Sequence, residues 1–151
     1  MAEEKSVCVF CEIAAGRAPA QIVAEDELSM VILDIHPFAR GHCLAIPRRH
    51  VPWWHDLTAE ETASLFSLAQ TAAQKIMRTY QPDFVCLYAR GRRIPHTHLF
   101  LVPTVSGDVL DRFFNALEKV QESPAELAQL QDPACLAEAA LELREGHVRS
   151  K

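Results

Sequence analysis

A chain of 151 residues, 49% hydrophobic and 23% charged, has the size and composition of one globular domain rather than a disordered chain, and needs no disulfide or metal merely to fold. A formal net charge of −5 argues against a general nucleic-acid binder. No apolar run approaches the ~20 residues that cross a bilayer, so no membrane partner is expected either.

The opening Met1-Ala2-Glu3-Glu4-Lys5 is polar and acidic, unlike a secretory signal or a transit peptide. With five cysteines, an odd count, this predicts a cytoplasmic protein without a disulfide framework. A short apolar run, Val7 to Cys11, precedes a turn at Gly16 to Pro19. Gln21 to Ala24 and Leu28 to Leu33 read as a strand pair, the second rich in Val, Ile and Leu. The loop Asp34 to Gly41 leads into a third apolar run, His42 to Ile46, closed by Pro47. The clearest helix follows, Thr58 to Tyr80. Thr58 and Glu61 form a capping box, and Leu65, Leu68, Ala69, Ala72 and Ile76 make a stripe at helical spacing. Pro82 bounds it.

Two more strands, Phe84 to Tyr88 and Ile94 to Val102, are joined by a turn around Arg90-Gly91. From Ser106 onward helix formers dominate. Asp108, Ser123-Pro124-Ala125-Glu126 and Asp132-Pro133 are helix starts, and Gly146 is a stop. The fold class predicted is α+β: an antiparallel sheet against a long helix over residues 1–105, then a helical extension, 106–151, packed on the same domain.

Chemistry concentrates at histidines. His42, His50, His96 and His98 sit beside Arg40, Arg48, Arg49, Arg90, Arg92 and Arg93. In an acidic chain these three arginine clusters form a local positive field that suits an anion, most simply a phosphate. One such cluster would read as solvated loop charge; three beside four imidazoles point to a site. In His96-Thr97-His98-Leu99-Phe100 the alternation puts His96, His98 and Phe100 on one face of a strand. Paired imidazoles can ligate a metal or supply a nucleophile and its partner. Cys8-Val9-Phe10-Cys11 has the C-x2-C spacing of a zinc half-site, or is two reduced cysteines beneath the sheet. Cys43, Cys86 and Cys135 have apolar neighbours and read as core. His36, His55 and His147 read as surface residues, and Trp53 and Trp54 as local packing, with a dimer contact or a substrate rim as the alternatives.

Several ordered segments resemble the histidine triad family of nucleotide-binding proteins, whose motif is His-φ-His-φ-His-φ-φ with φ apolar. They are Cys8-Val9-Phe10-Cys11-Glu12-Ile13, Leu33-Asp34-Ile35-His36-Pro37, Gly41-His42, and His96-Thr97-His98 with Pro103, spanning residues 8 to 103. The resemblance implies a five-stranded antiparallel sheet and a homodimer that extends it. It implies that His98, the middle histidine, attacks the α-phosphate of a purine nucleotide or nucleotide conjugate, giving a nucleotidyl-imidazole that water hydrolyses. An imidazole suits this role because it is largely neutral at cellular pH. By the same resemblance His42 completes the site, Asp34 takes the ribose hydroxyls, and Phe10 and Ile13 clamp the base, positions that would otherwise read as plain core. Cys8, Cys11, His50 and His96 would hold a structural zinc, as in many bacterial members.

The sequence departs from the motif in two places. Phe100 stands where the family has its third histidine, and phenylalanine can neither hydrogen-bond phosphate nor help a leaving group. The family's Asn-x-Gly loop is replaced by the shorter Leu87-Tyr88-Ala89-Arg90-Gly91, and Arg92 occupies a position usually held by a phosphate-contacting glutamine. A guanidinium there can stabilise phosphate charge. Two readings follow: a nucleotide hydrolase or transferase working through His98, or a zinc-stabilised nucleotide-binding module with weakened catalysis, used for sensing or for a partner. His98, His42 and Asp34 favour the first, Phe100 the second.

Overall fold

Alternation along the central strands sorts the core onto two faces of one sheet. In the computed structural model, residues 7–146 are described. The strands are β1 (Ile22–Glu25), β2 (Ser29–Leu33), β3 (Cys43–Pro47), β4 (Phe84–Tyr88) and β5 (Leu99–Thr104). All neighbours pair antiparallel in the order β1-β2-β3-β5-β4, so the five-stranded antiparallel sheet is present. Val31, Cys43, Ala45, Leu99 and Leu101 pack on Leu65, Ala69, Ala72 and Ile76 of α2 (Ala59–Tyr80). On the opposite face Met30, Ile32, Leu44 and Ile46 enclose Phe10 of α1 (Val9–Ala14), with Ile13 and Phe100 packed against them. Successive residues from Met30 to Ile32 and from Cys43 to Ile46 thus serve opposite layers.

The long helix starts as its sequence predicts. The Thr58 hydroxyl accepts from the Glu61 N–H at 3.2 Å, and the Glu61 carboxylate accepts from the Thr58 N–H at 2.9 Å. Glu61 also takes both arms of Arg49, at 2.5 and 2.7 Å. These donors hold its carboxyl down at about 2, with Arg49 the largest influence. Because the folded value is depressed, this stabilisation is complete above the ordinary carboxylate range and is lost as pH falls through that range toward about 2. Glu61→Gln is therefore expected to lower stability at pH 7 by about 1 kcal/mol. The gap between wild type and variant should close on acidification, as read by urea midpoints at pH 7 and pH 3.

Element boundaries differ from the sequence expectation in instructive places. The sequence predicts strand from Ile94, but β5 begins only at Leu99. Pro95 has no N–H for a ladder, the His96 N–H turns back to the Ile94 carbonyl at 2.8 Å, and Thr97 donates to Val51 at 2.6 Å. His96 and His98 therefore precede the strand rather than lie in it. Gly41 sits at φ 91°, and a Cβ there would meet the Tyr80 ring at 2.4 Å, so the loop before β3 requires glycine. Of the three cysteines read as core, Cys43 is buried; Cys86 and Cys135 are only partly so. His36 and His55 are exposed, as expected, and His147 lies outside the described residues.

The chain divides into two compact units, Met1–Leu110 and Asp111–Lys151. Asp108 accepts from the Thr104 hydroxyl and the Val105 N–H, both at 2.8 Å, which ties the end of β5 to the turn that follows it. The second unit is helical, with most of α3 (Val109–Glu122), then α4 (Ala128–Gln131) and α5 (Pro133–Glu145). Among the described residues no helix is long and apolar enough to cross a membrane.

Candidate active site and metal centre

Cys8 stands at the N-terminus of α1 and Cys11 one turn later, so both thiols share a side of the helix. The segment after β3 carries His50 to the same place, and the bend before β5 brings His96. Cys8 Sγ lies 3.4 Å from His96 Nδ1, Cys11 Sγ 3.2 Å from His50 Nδ1 and 3.6 Å from His96 Nδ1. The four donor atoms all fall within 4.8 Å of one another. A tetrahedral zinc with ordinary bond lengths would set sulfur and nitrogen ~3.6 Å apart, so the donors fit such an ion in kind and in spacing. His96 is completely buried, and its Nε2–H donates to the Pro47 carbonyl at 2.8 Å. A carbonyl can only accept, so the proton is on Nε2 and the lone pair of Nδ1 faces the thiols.

The same logic fixes His98. Its Nδ1 lies 2.7 Å from the His96 carbonyl oxygen and must donate to it. That leaves Nε2 as the free end of a buried imidazole. Phe10 packs against this ring at 5.2 Å and edge-on to His96 at 5.7 Å. Gly91 presses on the other side: a Cβ there would come within 2.2 Å of Cε1, 2.7 Å of Nδ1 and 2.9 Å of Nε2. Only glycine lets the backbone approach so closely. In the sequence Gly91 reads merely as a turn former between arginines.

His42 is buried, and its Nδ1 accepts from the Phe38 N–H at 3.2 Å. Its Nε2 then carries the proton, 3.5 Å from an Asp34 carboxylate oxygen. Among the described residues this nitrogen has no hydrogen-bond partner. Burial pushes the His42 pKa down while Asp34 pulls it up, and the net fall favours the neutral ring. The other Asp34 oxygen accepts from the His36 N–H at 2.7 Å. Phe100 lies between the two histidines, its ring 5.9 Å from His42 and 5.0 Å from His98. Tyr88, directly across from it in the β4–β5 pair, stacks on it at 4.6 Å and 6°. Burial is the largest influence raising the Tyr88 phenol, and the Asp34 charge adds to it. The sequence offers no sign of Tyr88 as part of this site, because cross-strand register cannot be read from a single run.

The arginines divide into two kinds. Arg48 donates to the Asp26 and Ala14 carbonyls and to Glu25, and Arg49 holds Glu61. These two bind the loops together and add little to a field for a ligand. Arg40, Arg90, Arg92 and Arg93 are exposed, and among the described residues none has a carboxylate within ion-pair distance. Of the three arginine clusters read in the sequence, the two without carboxylate partners among the described residues are therefore Arg40 and the Arg90–Arg93 turn. A separate groove of about 420 Å³, lined by residues including Phe66, Gln70 and Leu87, lies on the α2 side of the sheet, away from the histidines.

The profile of the HIT domain matches residues 15–107. The chain belongs to the HIT family. An uncharacterized HIT-like protein of Mycobacterium tuberculosis is 37% identical over 108 residues, covering 68% of this chain and 75% of that one. An adenosine 5′-monophosphoramidase of Schizosaccharomyces pombe is 33% identical over 101 residues, covering 64% and 73%. The crystal structure of a zinc-bound histidine triad family protein from Mycobacterium smegmatis matches at a TM-score of 0.62 and 36% identity, covering 69% of this chain and 79% of that one. A HIT family protein of Bacillus subtilis matches in fold at a TM-score of 0.75 and 23% identity, covering 96% and 100%.

Within this HIT fold the residues singled out in the sequence fall into two adjoining groups. Cys8, Cys11, His50 and His96 converge on one point. His98 and His42 flank Phe100, Asp34 lies beside His42, and Arg92 stands on the turn that contains Gly91. Phe10 and Ile13 belong to the apolar layer beneath both groups.

Proposed function

We propose that this HIT protein cleaves a nucleoside monophosphate from a phosphate-linked leaving group through a nucleotidyl intermediate on His98, either to water or to another acceptor. The observation that carries this reading is the bond from His98 Nδ1–H to the His96 carbonyl, which reserves Nε2 as the attacking nitrogen. Asp34 is the acceptor for ribose hydroxyls, Phe10 and Ile13 wall the purine, and Arg92 meets the phosphate. His42, whose burial favours the neutral ring, keeps an Nε2–H without a partner among the described residues to offer to a bound nucleotide. Two relatives bear names of this chemistry: the Schizosaccharomyces monophosphoramidase above and an adenylylsulfatase of Arabidopsis thaliana, 32% identical over 108 residues, covering 68% of this chain and 55% of that one.

Cys8, Cys11, His50 and His96 would hold zinc as a closed structural site. Bound there, the ion ties α1 to the segments carrying His50 and His96, two residues from the nucleophile. The four donors leave no open position for substrate.

Purified protein assayed on adenosine 5′-phosphoramidate and adenosine 5′-phosphosulfate should lose at least about 10³-fold in kcat on His98→Ala. Arg92→Ala should slow both substrates alike, because they share the phosphate. Phe100, which removes a proton donor beside His98, favours the second reading, a nucleotide-binding module. Nucleotide binding without turnover of either substrate would establish that module in place of the enzyme, and turnover unaffected by His98→Ala would remove His98 as the nucleophile.

A further inference from the structure

The turn over His98 is unusual in its charge. Arg90 and Arg92 flank Gly91, whose backbone rests against the imidazole, and the Arg92 N–H closes the turn on the Arg90 carbonyl at 2.9 Å. Consecutive Cα atoms are ~3.8 Å apart, so these arginines start one residue from the ring and Arg93 starts two. All three are exposed, and among the described residues none is paired with a carboxylate. In a chain of net charge −5, three arginines without a carboxylate partner among the described residues, on a turn whose backbone touches the nucleophile, form a field for an anion larger than one phosphate. Beside the same nucleophile, Phe100 offers no proton to a departing group.

We infer that this turn makes the protein selective for nucleotide conjugates whose leaving group is itself an oxyanion, a phosphate chain or a sulfate, with Arg90 and Arg93 on the leaving group's charge. The inference rests on His98 as the nucleophile for its chemistry, and on the turn alone for its binding. As His98 Nε2 forms its bond to the α-phosphorus, the bond from phosphorus to the bridging oxygen breaks. That oxygen keeps the electron pair and departs as an anion without needing a proton. Water then attacks the same phosphorus, the nitrogen–phosphorus bond returns its pair to Nε2, and one proton is released with the nucleoside monophosphate. An amine leaving group would have to acquire a proton that Phe100 cannot give. A sulfate or phosphate needs only charge stabilisation, which a guanidinium supplies.

The test separates charge from acidity. Diadenosine triphosphate and adenosine 5′-phosphosulfate, whose leaving groups are already charged in the substrate, are compared with the 4-nitrophenyl ester of adenosine monophosphate, whose leaving group is of low basicity but uncharged until it departs. In Arg90→Gln/Arg93→Gln the ratio of kcat/KM for the anionic substrates to that for the nitrophenyl ester should fall at least tenfold. Raising salt on the wild type should move the ratio the same way. The anionic substrate whose ratio falls further identifies the group the turn reads. An unchanged ratio, or an equal fall for all substrates, overturns the inference. A second arm does not depend on catalysis. His98→Ala protein should bind diadenosine triphosphate at least tenfold tighter than adenosine monophosphate, and the two arginine substitutions should abolish that preference. Turnover that survives His98→Ala refutes the nucleophile; absence of the binding preference refutes the turn.

Discussion

Replacing both Cys8 and Cys11 with serine is expected to abolish zinc binding and to lower the melting temperature by about 10 °C or more. The four donors belong to three separate segments: α1, the run after β3, and the bend before β5. Of these, the bend has few backbone bonds of its own. His96 is tied to Pro47, Thr97 to Val51, and neither is in a ladder. A closed four-ligand zinc site can contribute on the order of 10 kcal/mol of apparent binding free energy at pH 7. Part of that offsets burial and ordering of the ligands, and what remains shifts Tm by ~2–4 °C per kcal/mol in a chain of this size. Metal analysis of wild type should give about one zinc per chain. The variant should keep some nucleotide binding, since Asp34 and Arg92 lie outside the cluster, with turnover reduced because His98 hangs from the His96 carbonyl. Metal-free protein with an unchanged melting curve would remove zinc from the account.

The sheet and α2 are readable in the sequence because their cues are local. The Thr58–Glu61 capping box and the stripe from Leu65 to Ile76 need only near neighbours, and both are found as the spacing predicts. Alternation marks β2 and β3 for the same reason. Residues 94–98 mislead, because alternation continues through a segment whose backbone bonds go elsewhere. What decides is Pro95 and the acceptance of the Thr97 N–H by Val51, 46 positions away in the chain. The convergence of Cys8, Cys11, His50 and His96 follows from the family resemblance rather than from any local pattern, since the donors span nearly 90 residues. Tyr88 against Phe100 and Gly91 against His98 escape the sequence altogether: one depends on strand register, the other on the path of a short turn. Charge is over-read in the same way. Arg48 and Arg49 look like ligand-facing cations until their carboxylate and carbonyl partners are seen.

Phe100→His is expected to speed the turnover of poor leaving groups by about 10²–10⁴-fold, the usual worth of general-acid help, and to change good leaving groups little. The ring at this position lies 5.0 Å from His98 and 5.9 Å from His42, so an imidazole there would sit beside the reacting phosphate with a proton to give. Some stability is lost in exchange, because the stack on Tyr88 at 4.6 Å and the contact with the layer around Leu44 are built for a phenyl ring. The measurement is kcat/KM for a series of adenosine monophosphate conjugates graded in leaving-group basicity. Wild type should show a steep dependence and the variant a shallow one. The arginine turn acts on charge and not on proton supply, so Arg90→Gln/Arg93→Gln in the Phe100→His background should still lower the anionic substrates selectively, the two effects adding. A slope unaltered by the new histidine, alongside a large loss in His98→Ala, would mean that the departing group already receives its proton from another residue of this cluster. Tyr88, a neutral phenol stacked on that ring, is then the first residue to change, as Tyr88→Phe.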